Sequence, residues 1–439
     1  MITVVLLIGL AQLAFSSLAL HPSLIHRKDF IQEYLLARAV LSRTEPYRPL
    51  PEMAAEMLGY RGRLVPHPAT HPPPMAIITL PLGLLKYEYA ATLWFVLEIT
   101  LLAVSFHLLL QWQAVSSWRV AAVLTLMSFT WSPLVDEVLV GQLNMLLLWL
   151  LLLAWLRLRE GRELAGGVWL GGALIVKLMA WPIVLFLLLR RNWRALFAAG
   201  AVVISGHLIA IALMGWENVL NYYRHVAPTV PPLVRANEGN FSVWSLGWRL
   251  FEGTGCEILP STTAPPLLNA PGVARIVSFV APLLLLATGL WLARKARSFD
   301  AGFAILTCVS VLMNPVVWSH YLVMTIIPAA VVFRRLKAGG LPRWMYWSAF
   351  GCGALLFLPR MEMRALMNHF EVSREIRDGN LTIIHVPFAA GLISLIPLLA
   401  VLSLMWLVWQ LDKFQPEMKK APACDAASLF PKHYSDEIS

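Results

Sequence analysis

Long apolar runs separated by short basic clusters constrain this chain more than any other feature. A helix needs about 20 apolar residues to cross about 30 Å of hydrocarbon. Runs at 1–20, 89–111, 118–134, 141–157, 194–214, 273–293, 344–358 and 386–410 meet or approach that length. With 58% hydrophobic residues, 14% charged and a mean hydropathy of +0.67, the chain lies outside the range of soluble globular domains. The reading is an all-α polytopic membrane protein.

The net charge of +10 would suggest nucleic acid in a soluble protein, but here most Lys and Arg sit in short clusters between apolar runs. That is the pattern of the positive-inside rule, and no nucleic-acid partner is expected. The clusters Arg157/Arg159/Arg162, Arg190/Arg191/Arg194, Arg294/Lys295/Arg297, Arg334/Arg335/Lys337/Arg343 and Lys413/Lys419/Lys420 should then share the cytoplasmic side. Two apolar stretches, 165–189 and 299–333, have basic clusters at both ends, so a single crossing in either would break the rule. Each is predicted to be a hairpin, the first breaking between Lys177 and Pro182, the second at Asn314-Pro315. External loops then follow at 21–73, 135–140, 215–272 and 359–385, with one membrane domain over 1–410 and an internal polar tail at 411–439. Residues 1–20 read as a retained first span, since no basic segment precedes them. The run from Pro72 to Leu85 is too short to cross and reads as re-entrant or interfacial.

The four cysteines, Cys256, Cys308, Cys352 and Cys424, show neither disulfide nor zinc spacing. Walker and dinucleotide motifs are missing, as are paired-carboxylate nucleotide-sugar motifs and His-rich clusters, so neither a soluble nucleotide donor nor a metal or other cofactor is expected. The chemistry should lie in the external loops. Asp29 follows the first span and opens a helical pattern in which Phe30, Tyr34, Ala37 and Leu41 form an apolar face, with Gln32, Glu33 and Arg38 off it. This reads as a helix in the membrane interface, with Asp29 either a functional carboxylate or only its N-cap. Lys177 has apolar or small residues on both sides, a placement costing about 2.5–3.5 kcal/mol, so it needs an anionic ligand or an internal partner. Asn314-Pro315 with Trp318, His320 and Tyr321 marks a polar break at membrane depth, tolerated where it is buried in protein or lines a cavity. Two further groups, Asp136/Glu137/Gly141/Gln142/Asn144 and Arg235/Asn237/Glu238/Asn240/Ser242, serve either as site walls or as solvated rims. The second precedes Val243–Phe251, a Trp-rich stretch expected on the membrane surface.

Taken together these residues resemble glycosyltransferase family 87, within the GT-C membrane glycosyltransferases. The resemblance covers roughly residues 1–410. It rests on Asp29-Phe30 with Tyr34 and Pro46-Tyr47, His71-Pro72-Pro73-Pro74 with Pro81-Leu82, Gly141-Gln142-Leu143-Asn144, Gly171 through Lys177 with Pro182, Asn240 with Ser242, and Asn314-Pro315 with Trp318-Ser319-His320. Departures from the family pattern are Phe241 at an expected polar position, Tyr321 where a second His is often found, and a late Pro182. The resemblance implies a GT-C fold with about 10–13 transmembrane or half-membrane helices plus external amphipathic helices. It further implies an inverting transferase that moves a hexose, mannose by resemblance, from a polyprenyl-phosphate donor to a glycolipid, polysaccharide or protein. The plasma (inner) membrane and its external face are the expected location. Asp29 would be the base and His320 a second catalytic or phosphate-contacting residue. Lys177 and Arg235 would serve the donor phosphate, and Tyr34, Gln142, Asn240 and Trp318 the sugar or acceptor. The rival readings are a lipid or lipid-linked-sugar transporter, which would also use broken helices and a buried charge, and a non-catalytic subunit of an envelope-assembly complex.

Overall fold

The computed structural model describes residues 2–358, 360–377 and 381–414. Most of the tail expected at 411–439, with Lys419, Lys420 and Cys424, lies outside the described residues. Among these residues five helical segments are long and apolar enough to cross a membrane: Thr3–Leu20, Tyr87–Trp112, Trp193–Met214, Pro271–Lys295 and Phe388–Lys413. Shorter apolar helices, Glu163–Val176, Leu178–Leu189 and Phe299–Leu312, complete a polytopic all-α architecture. The core is built on Asn144–Arg159 and Phe299–Leu312, the latter buried at every position from Ala301. Both are apolar on all sides, as befits helices surrounded by other helices. Trp193–Met214 and Pro271–Lys295 instead expose Phe197, Ile204, Ile276 and Leu284 outward, where lipid would solvate them.

Both hairpins are present. Helix Glu163–Val176 stops at Lys177, whose backbone is extended (φ −156°, ψ 124°), and a short turn leads into helix Trp181–Leu189. A Cβ on Gly167 would fall 2.2 Å from the Ala195 carbonyl oxygen, one on Gly171 2.8 Å from that of Ala199, and one on Gly206 3.2 Å from Ile175. Glu163–Val176 and Trp193–Met214 thus run parallel from the same level, so the chain has returned to its starting side by Leu189. The contact is close because small residues let the backbones approach, the usual solution where lipid gives no hydrophobic drive to pack. The second hairpin joins Phe299–Leu312 to Ile326–Ala338 through a 3-10 segment, Ser319–Thr325.

The basic clusters converge on one side. Arg159 pairs with Asp300 at 2.9 Å, Arg190 lies over the Phe299 ring, Arg334 over Trp112, and Asp412 accepts from the Arg297 amide and the Ser298 hydroxyl, both at 2.6 Å. Arg335 approaches the same carboxylate. The charge pattern of the sequence therefore orients the helices consistently.

Three expectations are corrected. The span expected at 118–134, with a loop at 135–140, is a pair of helices, Trp118–Ser128 and Ser132–Val140, bent by 87°. Pro133 opens the second helix and cannot continue the first, because it lacks an amide proton and its ring crowds the preceding turn. The interfacial helix is Phe30–Ser42, but it is buried on its polar face too, Gln32 and Glu33 included. Segment 69–83, with its short helix Met75–Gly83, covers that face. Finally, Val243–Phe251 packs on Pro271–Lys295, with Gly247 set against the Ala274 carbonyl, and Val243, Ser245 and Arg249 are buried. The loops at 215–272 and 359–385 also share a small sheet that no pattern announced: Ser261–Thr263 pairs parallel with Leu381–His385, which pairs antiparallel with Ser373–Arg377.

Candidate active site

At the end of the molecule away from the basic clusters, Asp29 sits at the start of helix Phe30–Ser42. Its backbone is already helical (φ −63°, ψ −22°) and its side chain makes no capping bond. The N-cap reading therefore fails, since a capping carboxylate accepts from the amides two or three residues on. Instead Asp29 Oδ2 accepts from Gln142 Nε2 at 2.8 Å. Asp29 is half-buried as a residue, and its carboxyl group is enclosed by protein. Burial raises its proton affinity, and the Gln142 bond with the charges of His67, His71 and Lys177 opposes the rise.

Lys28, the neighbour of Asp29 that the sequence reading left without a role, explains how Asp29 meets Gln142. Its Nζ donates to the carbonyls of Val138 and Leu139, each at 2.8 Å, closing the C-terminal end of helix Ser132–Val140 where a cation suits the helix dipole. Burial lowers its proton affinity, against the pull of Glu98, Asp29 and Glu137. The helix ends at Gly141 in the left-handed region (φ 67°), where a Cβ would lie 3.0 Å from Lys28 Cε and 3.2 Å from Phe30 Cβ. Gly141→Ala should cost about 1–2 kcal/mol from backbone strain alone and push Lys28 away from the turn. The expected result is a thermal midpoint several degrees lower in detergent, with activity reduced further than stability accounts for. An unchanged midpoint would show that the turn tolerates a side chain.

Behind Gln142 a buried polar network joins four parts of the chain. Glu137 accepts from the Asn144 amide and side chain, both at 2.7 Å, and from the Met145 amide at 3.2 Å. It thus caps helix Asn144–Arg159 from the preceding helix. Asn144 Oδ1 accepts from Lys177 Nζ at 3.2 Å, and that ammonium lies 3.9 Å from the centre of the Tyr321 ring. Lys177 therefore has internal partners, while its charge bears on Asp29 and Glu137. The group around Glu137 is accordingly no solvated rim: Glu137, Gln142 and Asn144 are all buried. From the second hairpin, the Ser319 hydroxyl donates to Asp136, and the buried His320 ring lies 5.0 Å from that of Tyr321. Trp318 begins that segment, half-buried.

Three expected contact residues have other work. Asn240 is fully enclosed; its side chain donates to the Val234 and Pro315 carbonyls and accepts from the Ser242 and Val317 amides, pinning the turn before Trp318. Asn237, Glu238 and Ser242 are buried with it. Tyr34 donates to the Leu85 carbonyl at 2.8 Å and packs edge-on against Tyr87. Arg235 is on the surface, paired with Glu252 at 3.1 Å and stacked over Trp248. Sequence reasoning left Lys28 without a role and marked Glu33 only as lying off an apolar face, His71 only as part of the family pattern and Glu137 only as a wall or rim, because their partners are remote in the chain.

Comparison with known proteins bears on this arrangement. An alpha-(1->3)-arabinofuranosyltransferase of Mycobacterium tuberculosis (strain CDC 1551 / Oshkosh) is 28% identical over 164 residues, 36% of this chain and 37% of that protein, and its counterpart in strain ATCC 25618 / H37Rv matches equally. The aligned part thus spans little more than a third of those relatives. No solved structure gives a significant match. Residues 69–319 match the sequence model of glycosyltransferase family 87, a stretch that begins in the segment covering the Asp29 helix and includes Gln142, Lys177 and Trp318. That stretch is more than half of the chain, and on it this multi-pass membrane protein belongs to glycosyltransferase family 87.

Proposed function

We propose that the protein is an inverting transferase that moves a sugar from a polyprenyl-phosphate donor to an acceptor hydroxyl, with Asp29 as general base. The carrying observation is the Asp29 carboxylate itself: it makes no bond to its own helix, accepts from Gln142, and lies within the electrostatic reach of Lys177. In the reaction the acceptor O–H bond breaks and its proton passes to Asp29. The acceptor oxygen bonds to the anomeric carbon, and the bond from that carbon to the phosphate oxygen breaks with its electron pair leaving on the phosphate. An in-line displacement of this kind inverts the configuration. A lipid phosphate leaves as a stable anion, so a cation nearby serves it better than a proton. Lys177 is that cation, and His320 is proposed to stand beside the phosphate. Gln142 and Trp318 remain candidate sugar contacts. Arg235, Tyr34 and Asn240, engaged as described, enter no step.

A lipid donor is further supported by an apolar cavity of about 400 Å³ lined by Ile77, Ile78, Val168, Ile175, Val202 and Gly206, among others. Ile77 and Ile78 share segment 69–83 with His71, and Ile175 stands in the helix that ends at Lys177, so a donor chain is proposed to lie there with its anionic head toward the polar site. With the basic clusters cytoplasmic, the site faces outward from the plasma (inner) membrane, and residues 1–410 act as one unit. The acceptor class is a glycolipid, polysaccharide or protein.

For the sugar, mannose is the first candidate, and the mycobacterial relatives favour arabinofuranose as a second. The test is transfer by purified protein in detergent from radiolabelled polyprenyl-phosphate mannose and, in parallel, polyprenyl-phosphate arabinofuranose, with a membrane lipid extract as acceptor. A labelled product from one donor supports the reading and names the sugar. Donor movement across proteoliposomes without product from either would support the transporter instead.

A further inference from the structure

Asp136 and Glu137 are neighbours on helix Ser132–Val140, yet the two carboxylates serve different parts of the chain. Successive helical residues point about 100° apart. Glu137 turns to Asn144, whose side chain leads to Lys177 at the first hairpin, while Asp136 turns to the second hairpin. There its Oδ2 accepts from the Ser319 hydroxyl. Asp136 is half-buried and Ser319 is 2% exposed, so this charge-assisted bond meets little competition from water. The segment it holds is irregular. Helix Phe299–Leu312 stops short of Asn314-Pro315, Pro315 has no amide to donate, and Trp318 enters the next segment extended (φ −86°, ψ 169°) with no side-chain cap. Asn240 fixes the first half of this break through the Pro315 carbonyl and the Val317 amide. Ser319 fixes the second half, between Trp318 and His320, and two residues on the Tyr321 ring meets the Lys177 ammonium at 3.9 Å. The backbone of the buried His320 is thus tethered on both sides, through Asp136 and through Lys177.

We infer that Asp136 is a positioning residue, working through Ser319 to set Trp318 and His320 at the donor phosphate. The inference rests on the donor reading above, in which His320 stands beside that phosphate. A serine hydroxyl has one proton to donate, and Ser319 gives it to Asp136. A carboxylate brought against the leaving phosphate would repel it, so Asp136 acts by its bond and not by its charge. The bond matters because a displacement of about 1 Å in a site residue costs about a hundredfold in rate.

The test measures binding of radiolabelled polyprenyl phosphate, the lipid that the reaction releases, to the full-length protein in detergent, beside a melting curve for each variant. Asp136→Ala and Ser319→Ala should each weaken binding by about tenfold to a hundredfold, the scale of a lost hydrogen bond to a charged group. Because both remove the same bond, the double variant should bind no worse than either single one. Asp136→Asn keeps an oxygen that accepts from Ser319 and should recover most of the loss. If Asp136→Ala loses its fold, Ser319→Ala, which removes only a hydroxyl, is compared with Asp136→Asn. Losses that add in the double variant, or an Asn variant as weak as the Ala one, would overturn the inference, as would full binding by Ser319→Ala. The donor reading fails differently, by wild type that binds no polyprenyl phosphate at all. The base assignment is separate again: if Asp29→Asn transfers sugar like wild type while the coupled loss of binding persists, Asp136 keeps its role and the base is elsewhere.

Discussion

Asp29→Asn is expected to lower kcat about a thousandfold, within the range that a positioned general base contributes, while KM for the lipid donor changes little. The amide has nearly the same shape, and its oxygen can still accept from Gln142 Nε2, the one bond that the carboxylate makes among the described residues. What it loses is the capacity to take the acceptor's proton. Because Asp29 does not cap its helix, the substitution should leave the thermal midpoint within a few degrees of wild type. Steady-state transfer with the donor found active, measured beside a melting curve in detergent, checks both parts. A loss below about tenfold would put the base elsewhere; a collapse of stability would make the carboxylate structural.

The second large effect is at Lys177. Lys177→Met keeps most of the apolar stem and removes the charge, and it should reduce kcat/KM for the donor by about a hundredfold, the scale at which charge-assisted contacts to a developing phosphate anion act. Stability should hold or rise, because an intramembrane ammonium costs about 2.5–3.5 kcal/mol. The losses on the structural side are one bond to Asn144 at 3.2 Å and the Tyr321 ring contact. Activity and stability therefore move apart if the lysine serves the donor, and fall together if it serves only the network. A donor analogue carrying a neutral linkage in place of the phosphate sharpens the comparison, since wild type and variant should then bind it alike.

The two hairpins and the gathering of the basic clusters at one end of the molecule were legible without any structure. Lys and Arg cannot be drawn through hydrocarbon at little cost, so a cluster at each end of an apolar run dictates a hairpin. The break at Lys177 and the meeting of Arg159 with Asp300, and of Arg297 and Arg335 with Asp412, follow that rule. Lys177 stood out for the same reason, as a charge where the pattern gave it no solvent, and Asp29 as the carboxylate that opens a helix at the membrane interface.

What tertiary structure decided was where each polar face goes. Periodicity identified the apolar side of helix Phe30–Ser42 but could not tell that segment 69–83 would cover the other side, turning an interfacial helix into a buried one. In the same way, Glu137 and Asn144 read as a rim because nothing local shows that Pro133 redirects the chain by 87° and folds them inward. The contacts that make the site, Asp29 with Gln142 across 113 residues, Lys28 with Val138 across 110 and Glu33 with His71 across 38, join segments whose spacing along the chain carries no period. Membrane insertion is governed by each segment's own transfer energy, which the sequence contains. The pairing of polar groups is governed by which buried donors and acceptors remain unsatisfied once the helices have packed, and only the packed structure contains that.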